Sequence, residues 1–571
     1  MQQLCQTIVE VLDAQAERDA TAFLFLGDGE TETDSRSFDA LHSRAREIAT
    51  HLAGLGLSGC NVLLLFHNNA LFIDALLGCF YAGAVAVPVA PGRVNRYASS
   101  LTLIAKNARA SAIMISAQEK AFHNEQNFAE LADIKHLEIE RIGHEVADLR
   151  TISRNGAAFI QYTSGSTNHP KGVVVTHANL IANLACIREA MQLSQESRFV
   201  SWLPLFHDMG LVGNVLEPLY LGAQCVMMPS VGFLQKPRRW LDAIGRYKAT
   251  ISGAPNFGFD LCVEKFPTAD RASLDLSSWQ VAFNGSEPIR PQSLERFAST
   301  FAESGFRKSS FFPCYGMAES TLFISGGPPG IEPAWETPGN PPAVSPDGQT
   351  TIGFTSCGKP AVGTRLLVVS PEPHRALPDG EVGEIWISGD SVSGGYYGGQ
   401  EAQLFAATTC DEEGAFFRTG DLGFLRGGKV FVTGRLKDLI IIRGRNHYPQ
   451  DIEDSVAACN GQFIKGGTVA VTLEDFATGS GLVILQEIKR EFWKNAERRS
   501  LTADVREALA SGHGLATDHV IFMKPGGLPR TSSGKVRRSA CRQLAQAARN
   551  QPDIAEAAMA PDRSAGRADA R

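Results

Sequence analysis

The chain has 571 residues, 44% of them apolar, 20% charged and 8% aromatic, with 54 Lys and Arg against 61 Asp and Glu for a formal net charge of −7. That apolar content at so low a net charge per residue excludes a wholly disordered chain. The mild acidity gives no basic footprint for nucleic acid. At about 150 residues per domain the length corresponds to about three or four structural units.

The 11 cysteines are scattered singly and form no C-x-x-C pair, which argues against a zinc module or a disulfide scaffold. The N-terminus carries early acids and no basic segment of a signal peptide. The most apolar stretch, Ala75–Val87, is 13 residues long. A membrane-spanning helix needs about 20, so this reads as a buried helix running into a strand. A cytoplasmic protein without a membrane span is expected.

Along the chain, short apolar runs alternate with helical stretches. Val62–Phe66 reads as a strand, Ala70–Ala82 as a helix and Val85–Val89 as a strand. Ser99–Ala108 then reads as a helix and Ala112–Ile115 as a strand. The pattern resumes with Val173–Val175, a helix from about Asn179 to Met191, and Gln224–Met228. Such alternation predicts an α/β fold with largely parallel sheets. From about Gly353 the texture changes to short strands with Gly/Asp turns, at Arg365–Val369, Gly383–Ile387 and Gly428–Val432, which suggests a β-rich subdomain. Gly326–Gly348 holds seven Pro and five Gly among 23 residues and reads as a long surface loop. From about Gln546 the chain is rich in Ala, Arg and Asp, and a disordered tail is expected.

The segment Tyr162-Thr-Ser-Gly-Ser-Thr-Asn-His-Pro-Lys171-Gly172 lies between the strand-like Ala157–Gln161 and Val173–Val175. Its hydroxyls, glycine and lysine suit the oxygens of a phosphate. It is not a Walker A loop, because the terminal G-K-[ST] is missing and no helix follows directly. Read alone, such a run is usually only a turn.

Further segments follow in order: Trp202-Leu-Pro-Leu-Phe-His207-Asp-Met-Gly-Leu, Phe283-Asn-Gly-Ser-Glu-Pro-Ile289 and Phe312-Pro-Cys-Tyr315-Gly-Met-Ala-Glu319-Ser-Thr. Then come Phe417-Arg-Thr-Gly-Asp421-Leu-Gly, Gly434-Arg435-Leu-Lys-Asp438 and Leu528-Pro-Arg-Thr-Ser-Ser-Gly-Lys535. The set resembles the adenylate-forming superfamily of acyl- and aryl-CoA synthetases, peptide-synthetase adenylation domains and luciferases, over roughly residues 10–545. Within it, the chain is most similar to the fatty acyl-AMP ligases. Phe233-Leu-Gln-Lys-Pro-Arg-Arg-Trp-Leu, Gly253-Ala-Pro-Asn-Phe-Gly-Phe-Asp-Leu-Cys and Arg443-Gly-Arg-Asn-His-Tyr-Pro-Gln-Asp-Ile-Glu carry that likeness. So do the 39 positions from Glu319 to Gly358, which agree with the insertion of that group. One departure is Asn168-His169, where a glycine usually follows the threonine; a stiffer loop is expected.

The resemblance implies a large N-terminal domain over 1–437, made of α/β subdomains and a β-rich one, with the insertion at about 321–357. A small mobile α+β domain follows over 438–545, then a tail over 546–571. It implies ATP and Mg²⁺, a fatty acid and an acyl carrier protein, in chemistry that feeds polyketide or lipopeptide assembly. The reaction would be acyl-AMP formation, then transfer to the carrier's phosphopantetheine thiol. Thr163, Ser164, Gly165, Ser166, Thr167 and Lys171 would hold the triphosphate. Glu319, with Thr163, would serve Mg²⁺, since a hard carboxylate suits that ion.

Asn284, Gly285, Ser286, Glu287 and Pro288 would wall the adenine pocket together with Tyr315, Gly316, Met317 and Ala318. Tyr315 offers a flat stacking face. Asp421 would take the ribose hydroxyls and Arg435 a ribose or phosphate oxygen. His207 would sit beside the substrate carboxylate. Lys535 would place its charge on the transition state, and Asp438 would be the hinge. Arg537, Arg538 and Arg542 read as an exposed helix face. The apolar stretch from Trp202 to Phe259 reads as core or as the lining of an acyl tunnel. The alternatives are a CoA-dependent fatty acyl ligase of the same fold and a silent nucleotide-binding relative.

Overall fold

A computed structural model describes residues 5–67, 69–91, 94–122, 131, 133–163, 170–266, 271, 273–339, 353–442, 445–473, 481–530 and 534–550. It divides into two compact units, the first ending at Thr433 and the second beginning at Gly434.

The first unit holds two mainly parallel sheets. One runs in the order Lys135–Glu138, Ala112–Ile115, Asn61–Leu65, Val85–Val89, Ala157–Thr163, Lys171–Thr176. Its last pair is antiparallel and the pairs before it are parallel. Asn61–Leu65, Val85–Val89 and Ala112–Ile115 are buried at every position, as strands covered on both faces must be. Helix Ala70–Ala82 starts where Asn69 Oδ1 accepts from Phe72 N at 3.1 Å and stops at Gly83, whose φ of 62° a side chain would resist. The expected bounds are met at Ala70–Ala82, Val85–Val89 and Ala112–Ile115, the strand expected over Val62–Phe66 lies one residue earlier, and the helix expected over Ser99–Ala108 runs from Val94 to Asn107.

The second sheet has nine strands, with six parallel ones at its centre: Phe311–Gly316, Val281–Asn284, Ile251–Ala254, Arg198–Ser201, Gln224–Met227 and Thr21–Leu26. Antiparallel strands close both edges. Ligands of such sheets gather at the carboxyl ends of the strands, which here are Ser201, Ala254, Asn284 and Gly316. Arg365–Val369, Gly383–Ser388, Phe417–Arg426 and Lys429–Arg435 form the β-rich part as a four-stranded sheet.

In the second unit, strands Phe463–Thr472, Leu482–Ile488 and His519–Met523 form one sheet. Side chains of the central strand alternate between two cores. Leu482, Ile484 and Ile488 join Val456, Val505 and Leu509 on one face, while Val483 and Leu485 join Cys541 and Ala545 on the other. Among the described residues no helix is long and apolar enough to cross a membrane.

Three expectations are corrected. Gly326–Gly348 is not uniformly irregular: Gly326 ends the strand Phe323–Gly326, and Trp335–Glu336 pairs antiparallel with Phe354–Thr355. Between Pro333 and Pro338 the chain keeps backbone N–H groups that can pair. Residues 340–352 of the insertion lie outside the described residues. Helix Arg538–Asn550 runs past residue 546, because the small side chains of Cys541 and Ala545, four apart, bury a helical stripe. The tail from 551 lies outside the described residues. Arg538 is not on an exposed face: its side chain is 14% exposed and its guanidinium donates to both oxygens of Glu453, with Asp438 at 3.8 Å.

Candidate active site

The parallel strands Val281–Asn284 and Phe311–Gly316 carry two of the motifs to neighbouring strand ends, with Asn284 opposite Pro313. Gly285, Ser286, Tyr315 and Gly316 there line a cavity open to solvent on one side. Asp208 and Met209 line it as well, and Ile187, Met191, Gly213, Ile251, Phe283, Leu322 and Phe323 complete a largely apolar wall. Gly316 is obligatory for packing: a Cβ there would lie 1.9 Å from the Leu322 carbonyl oxygen. Ser286 has a φ of 70°, uncommon for a non-glycine residue, and its hydroxyl donates to Met209 Sδ at 3.2 Å.

Tyr315 is buried, and its hydroxyl donates to Asp421 Oδ2 at 2.7 Å. Asn284 is fully buried; its amide donates to Asn256 Oδ1 at 3.3 Å while its own Oδ1 has no hydrogen-bond partner. Glu287 does a structural job, accepting from Phe257 N at 2.7 Å near the start of helix Asn256–Lys265. Pro288 is exposed, and Met317 and Ala318 continue from the cavity-lining strand.

Glu319 is 8% exposed, and its Oε1 accepts from the Tyr396 hydroxyl at 2.7 Å. Its loop is clamped by Asn183, whose amide donates to the Ser320 and Phe323 carbonyls at 3.2 and 2.9 Å while its Oδ1 accepts from Phe323 N at 3.0 Å. Lys171 lies opposite Thr163 across the antiparallel pair. Its ammonium donates to both carboxylate oxygens of Glu401, at 2.7 and 2.6 Å, and lies 5.4 Å from the centre of the Tyr396 ring. Thr163 and Lys171 thus mark the two ends of the phosphate-type loop. Ser164, Gly165, Ser166 and Thr167, with the Asn168-His169 departure, lie outside the described residues.

His207 Nδ1 sits 2.6 Å from Asp208 Oδ1, a contact that fixes the ring beside a cavity-lining residue. The strand before the loop supports that segment, since Gln161 Nε2 donates to the Phe206 carbonyl at 2.8 Å. Most of the stretch from Trp202 to Phe259 is core. Trp202 stacks on Phe233 at 3.9 Å, and Trp240 meets Trp279 edge-on at 5.3 Å, so these rings are core. Met209, Gly213 and Ile251 line the cavity.

In the second unit, Arg435 is exposed at the end of strand Lys429–Arg435, and Asp438 closes the short turn Leu436–Asp438. Lys535 lies in a loop closed by the antiparallel bridge between Arg530 and Val536.

A family model described as "AMP-binding enzyme" matches residues 12–397, and one described as "Disco-interacting protein 2-like, AMP domain" matches residues 437–546. The chain belongs to the AMP-binding enzyme family. It is 38% identical over 560 residues to the medium-chain-fatty-acid–[acyl-carrier-protein] ligase JamA of Moorena producens, covering 94% of each chain. A solved structure from studies of fatty acyl-adenylate ligases of E. coli and L. pneumophila superposes with a TM-score of 0.87 at 31% identity, over 95% of this chain and 98% of that one. The L. pneumophila fatty acyl-adenylate ligase in complex with acyl adenylate and pyrophosphate gives 0.73 at 35% identity, over 95% and 97% of the two chains. The chain is therefore an ATP-dependent adenylate-forming ligase of the AMP-binding family, with the family's α/β fold.

Within this AMP-binding enzyme the first unit gathers Glu319, Tyr315 and Asp421, and sets Lys171 against the face of Tyr396. The motif reading missed Tyr396, Glu401 and Asn183. A Tyr in Gly-Gly-Tyr-Tyr carries no local signal of a partner 77 positions away.

Proposed function

We propose that this protein activates a fatty acid of medium or longer chain as its acyl-adenylate and passes the acyl group to the phosphopantetheine thiol of an acyl carrier protein. The observation that carries the reading is the coincidence, in one unit, of an apolar cavity with two polar centres. Tyr315–Asp421 forms one and Glu319–Tyr396–Lys171 the other, within a fold shared with fatty acyl-adenylate ligases.

In the first half-reaction a carboxylate oxygen attacks the α-phosphorus of ATP and pyrophosphate leaves. Both reactants are anions, so the site must align them and offset the charge that develops. Lys171 already holds two carboxylate oxygens, the contact a phosphate group would replace. Asp421 suits two ribose hydroxyls as an acceptor, and Tyr315 fixes its direction. The apolar side of the cavity, at Ile187, Met191 and Gly213, takes the acyl chain, with the substrate carboxylate toward His207. Lys535, carried by its own unit, supplies the mobile positive charge, and Asp438 is the hinge of that motion.

Mg²⁺ fits the residues present. It is commonly held by one or two carboxylates plus phosphates and waters, and Glu319 offers one buried carboxylate with an oxygen already anchored. When bound, the ion would neutralise phosphate charge. Eleven unpaired, dispersed cysteines suit a reducing, cytoplasmic setting.

The deciding experiment offers purified protein a fatty acid, ATP and either CoA or a holo-carrier protein, and measures acyl-AMP and acyl thioester. Acyl-AMP with thioester on the carrier alone supports the proposal. Abundant acyl-CoA would assign the chain to the CoA-dependent ligases, and no acyl-AMP would make it a silent relative.

A further inference from the structure

Segment 393–401 is tied to the strand that carries Lys171. Ser393 Oγ donates to the Val174 carbonyl at 2.7 Å, Val174 N donates to the Gly395 carbonyl at 3.2 Å, and Tyr397 N donates to the Gly172 carbonyl at 2.7 Å. Val173 and Tyr396 form an antiparallel bridge, so the segment lies along Lys171–Thr176 as a short added strand. The same segment holds Glu319 twice: Ser393 N donates to its carbonyl at 2.8 Å, and the Tyr396 hydroxyl to its carboxylate at 2.7 Å. Backbone pairing thus sets the spacing between Lys171, Tyr396 and Glu319.

At the end of this segment, after Gly398 and Gly399, stands Glu401. Its backbone is in the left-handed region, φ 50° and ψ 36°, which a non-glycine residue adopts only where its surroundings hold it. The following turn holds it: Leu404 N donates to the Glu401 carbonyl at 2.9 Å, and Phe405 meets Tyr396 edge-on at 5.2 Å. The side chain is 39% exposed, yet both of its oxygens are on Lys171.

We propose that Glu401 is a resident counter-ion of Lys171, holding the ammonium along the Tyr396 ring until the triphosphate of the nucleotide exchanges for it. This rests on the ATP-dependent reading of the site. Two carboxylate oxygens imitate two phosphate oxygens, so the lysine is kept extended and its direction preset. Binding then swaps one anion for another and leaves no newly buried cation. Exchange also gives pyrophosphate a way out, because Glu401 can retake Lys171 when pyrophosphate leaves. The ring face of Tyr396 attracts the ammonium in either state, and its hydroxyl keeps Glu319 in register. Glu401 and Tyr396 are positioning residues in this scheme.

The test is equilibrium binding of ATP, AMP and pyrophosphate to the full chain and to Glu401→Gln, at low and high salt, with ATP and acyl-AMP turnover measured alongside. Removing a competing, partly exposed ion pair should tighten ATP and pyrophosphate about two- to fivefold and leave AMP unchanged, since AMP lacks the β and γ phosphates. The gain should shrink at high salt. KM for ATP should fall, while kcat stays level or drops as pyrophosphate leaves more slowly. In a Lys171→Gln background the Glu401→Gln change should do nothing to ATP affinity. Glu401→Asp, one methylene shorter, should fall between wild type and Glu401→Gln, which keeps the test open if the amide disturbs the turn. Equal or weaker ATP binding by folded Glu401→Gln, or tightening of AMP by the same factor, overturns the exchange. Failure of the wild type to bind ATP at all overturns the reading of the site and the exchange with it.

Discussion

The Tyr315 hydroxyl donates to Asp421 Oδ2 at 2.7 Å across 106 positions of sequence, joining the end of a parallel strand to the β-rich part. A tyrosine that lines the cavity thereby orients the carboxylate proposed to take the ribose hydroxyls. Asp421→Asn keeps an acceptor for Tyr315 and removes the charge. Hydrogen bonds to a charged group contribute about 1.5–3 kcal/mol. ATP affinity should therefore fall about 10- to 100-fold, read by equilibrium binding, with the melting temperature little changed. Unaltered ATP affinity would remove Asp421 from the ribose site.

Glu319→Gln keeps the Tyr396 hydrogen bond, because the amide oxygen still accepts, and makes the group a poorer ligand for a hard dication. The Mg²⁺ titration of ATP binding should shift to higher concentration, and acyl-AMP formation should shift with it. An unchanged titration would exclude Glu319 as the metal ligand.

Gly213 lines the cavity, and a Cβ there would meet Leu322 Cδ2 at 3.4 Å, an ordinary contact. Gly213→Ala should fold and act normally. Gly213→Leu would fill acyl space, and each methylene denied burial costs about 0.8 kcal/mol, or about fourfold in kcat/KM. Preference measured over a series of fatty acids should move toward shorter chains. An unshifted profile would place the acyl chain elsewhere.

Lys535→Ala should lower acyl-AMP formation by about 10² or more, the scale for losing one preorganised charge in a transition state. Thermal stability should barely change, because the side chain is only partly buried in a loop. Near wild-type adenylation would refute the assignment.

Glu217 is fully buried with neither carboxylate oxygen hydrogen-bonded, and burial raises its pKa well above the usual carboxyl value, with Arg188 opposing only in part. The folded protein therefore holds a proton that the unfolded chain releases near pH 4.5. Stability is fully present below that value and is lost as pH rises toward the folded pKa, at ~1.4 kcal/mol per pH unit for one proton. Glu217→Gln, which cannot ionise, should melt increasingly above wild type as pH rises from about 5 toward the folded pKa. Parallel melting curves against pH would show that Glu217 does not titrate this way.

Much of this protein was legible in its residues alone. Helix Ala70–Ala82 and strands Val85–Val89 and Ala112–Ile115 follow from apolar runs, the helix bounded by Asn69 and Gly83, since local hydrogen bonding and burial act over a few residues. Motif order likewise singled out Glu319, Asp421, Lys171 and Lys535 as candidates for the chemistry, because each sits in a segment whose composition is specific. Only the tertiary structure decided their partners. Tyr396 reaches Glu319, Glu401 reaches Lys171 over 230 positions, and Glu287 turns out to accept from Phe257 N near a helix start. It also set Arg538 against Glu453 and withdrew it from solvent. Such pairings depend on which strands lie side by side. That arrangement is settled by the packing of whole sheets, so no window of neighbouring residues contains it.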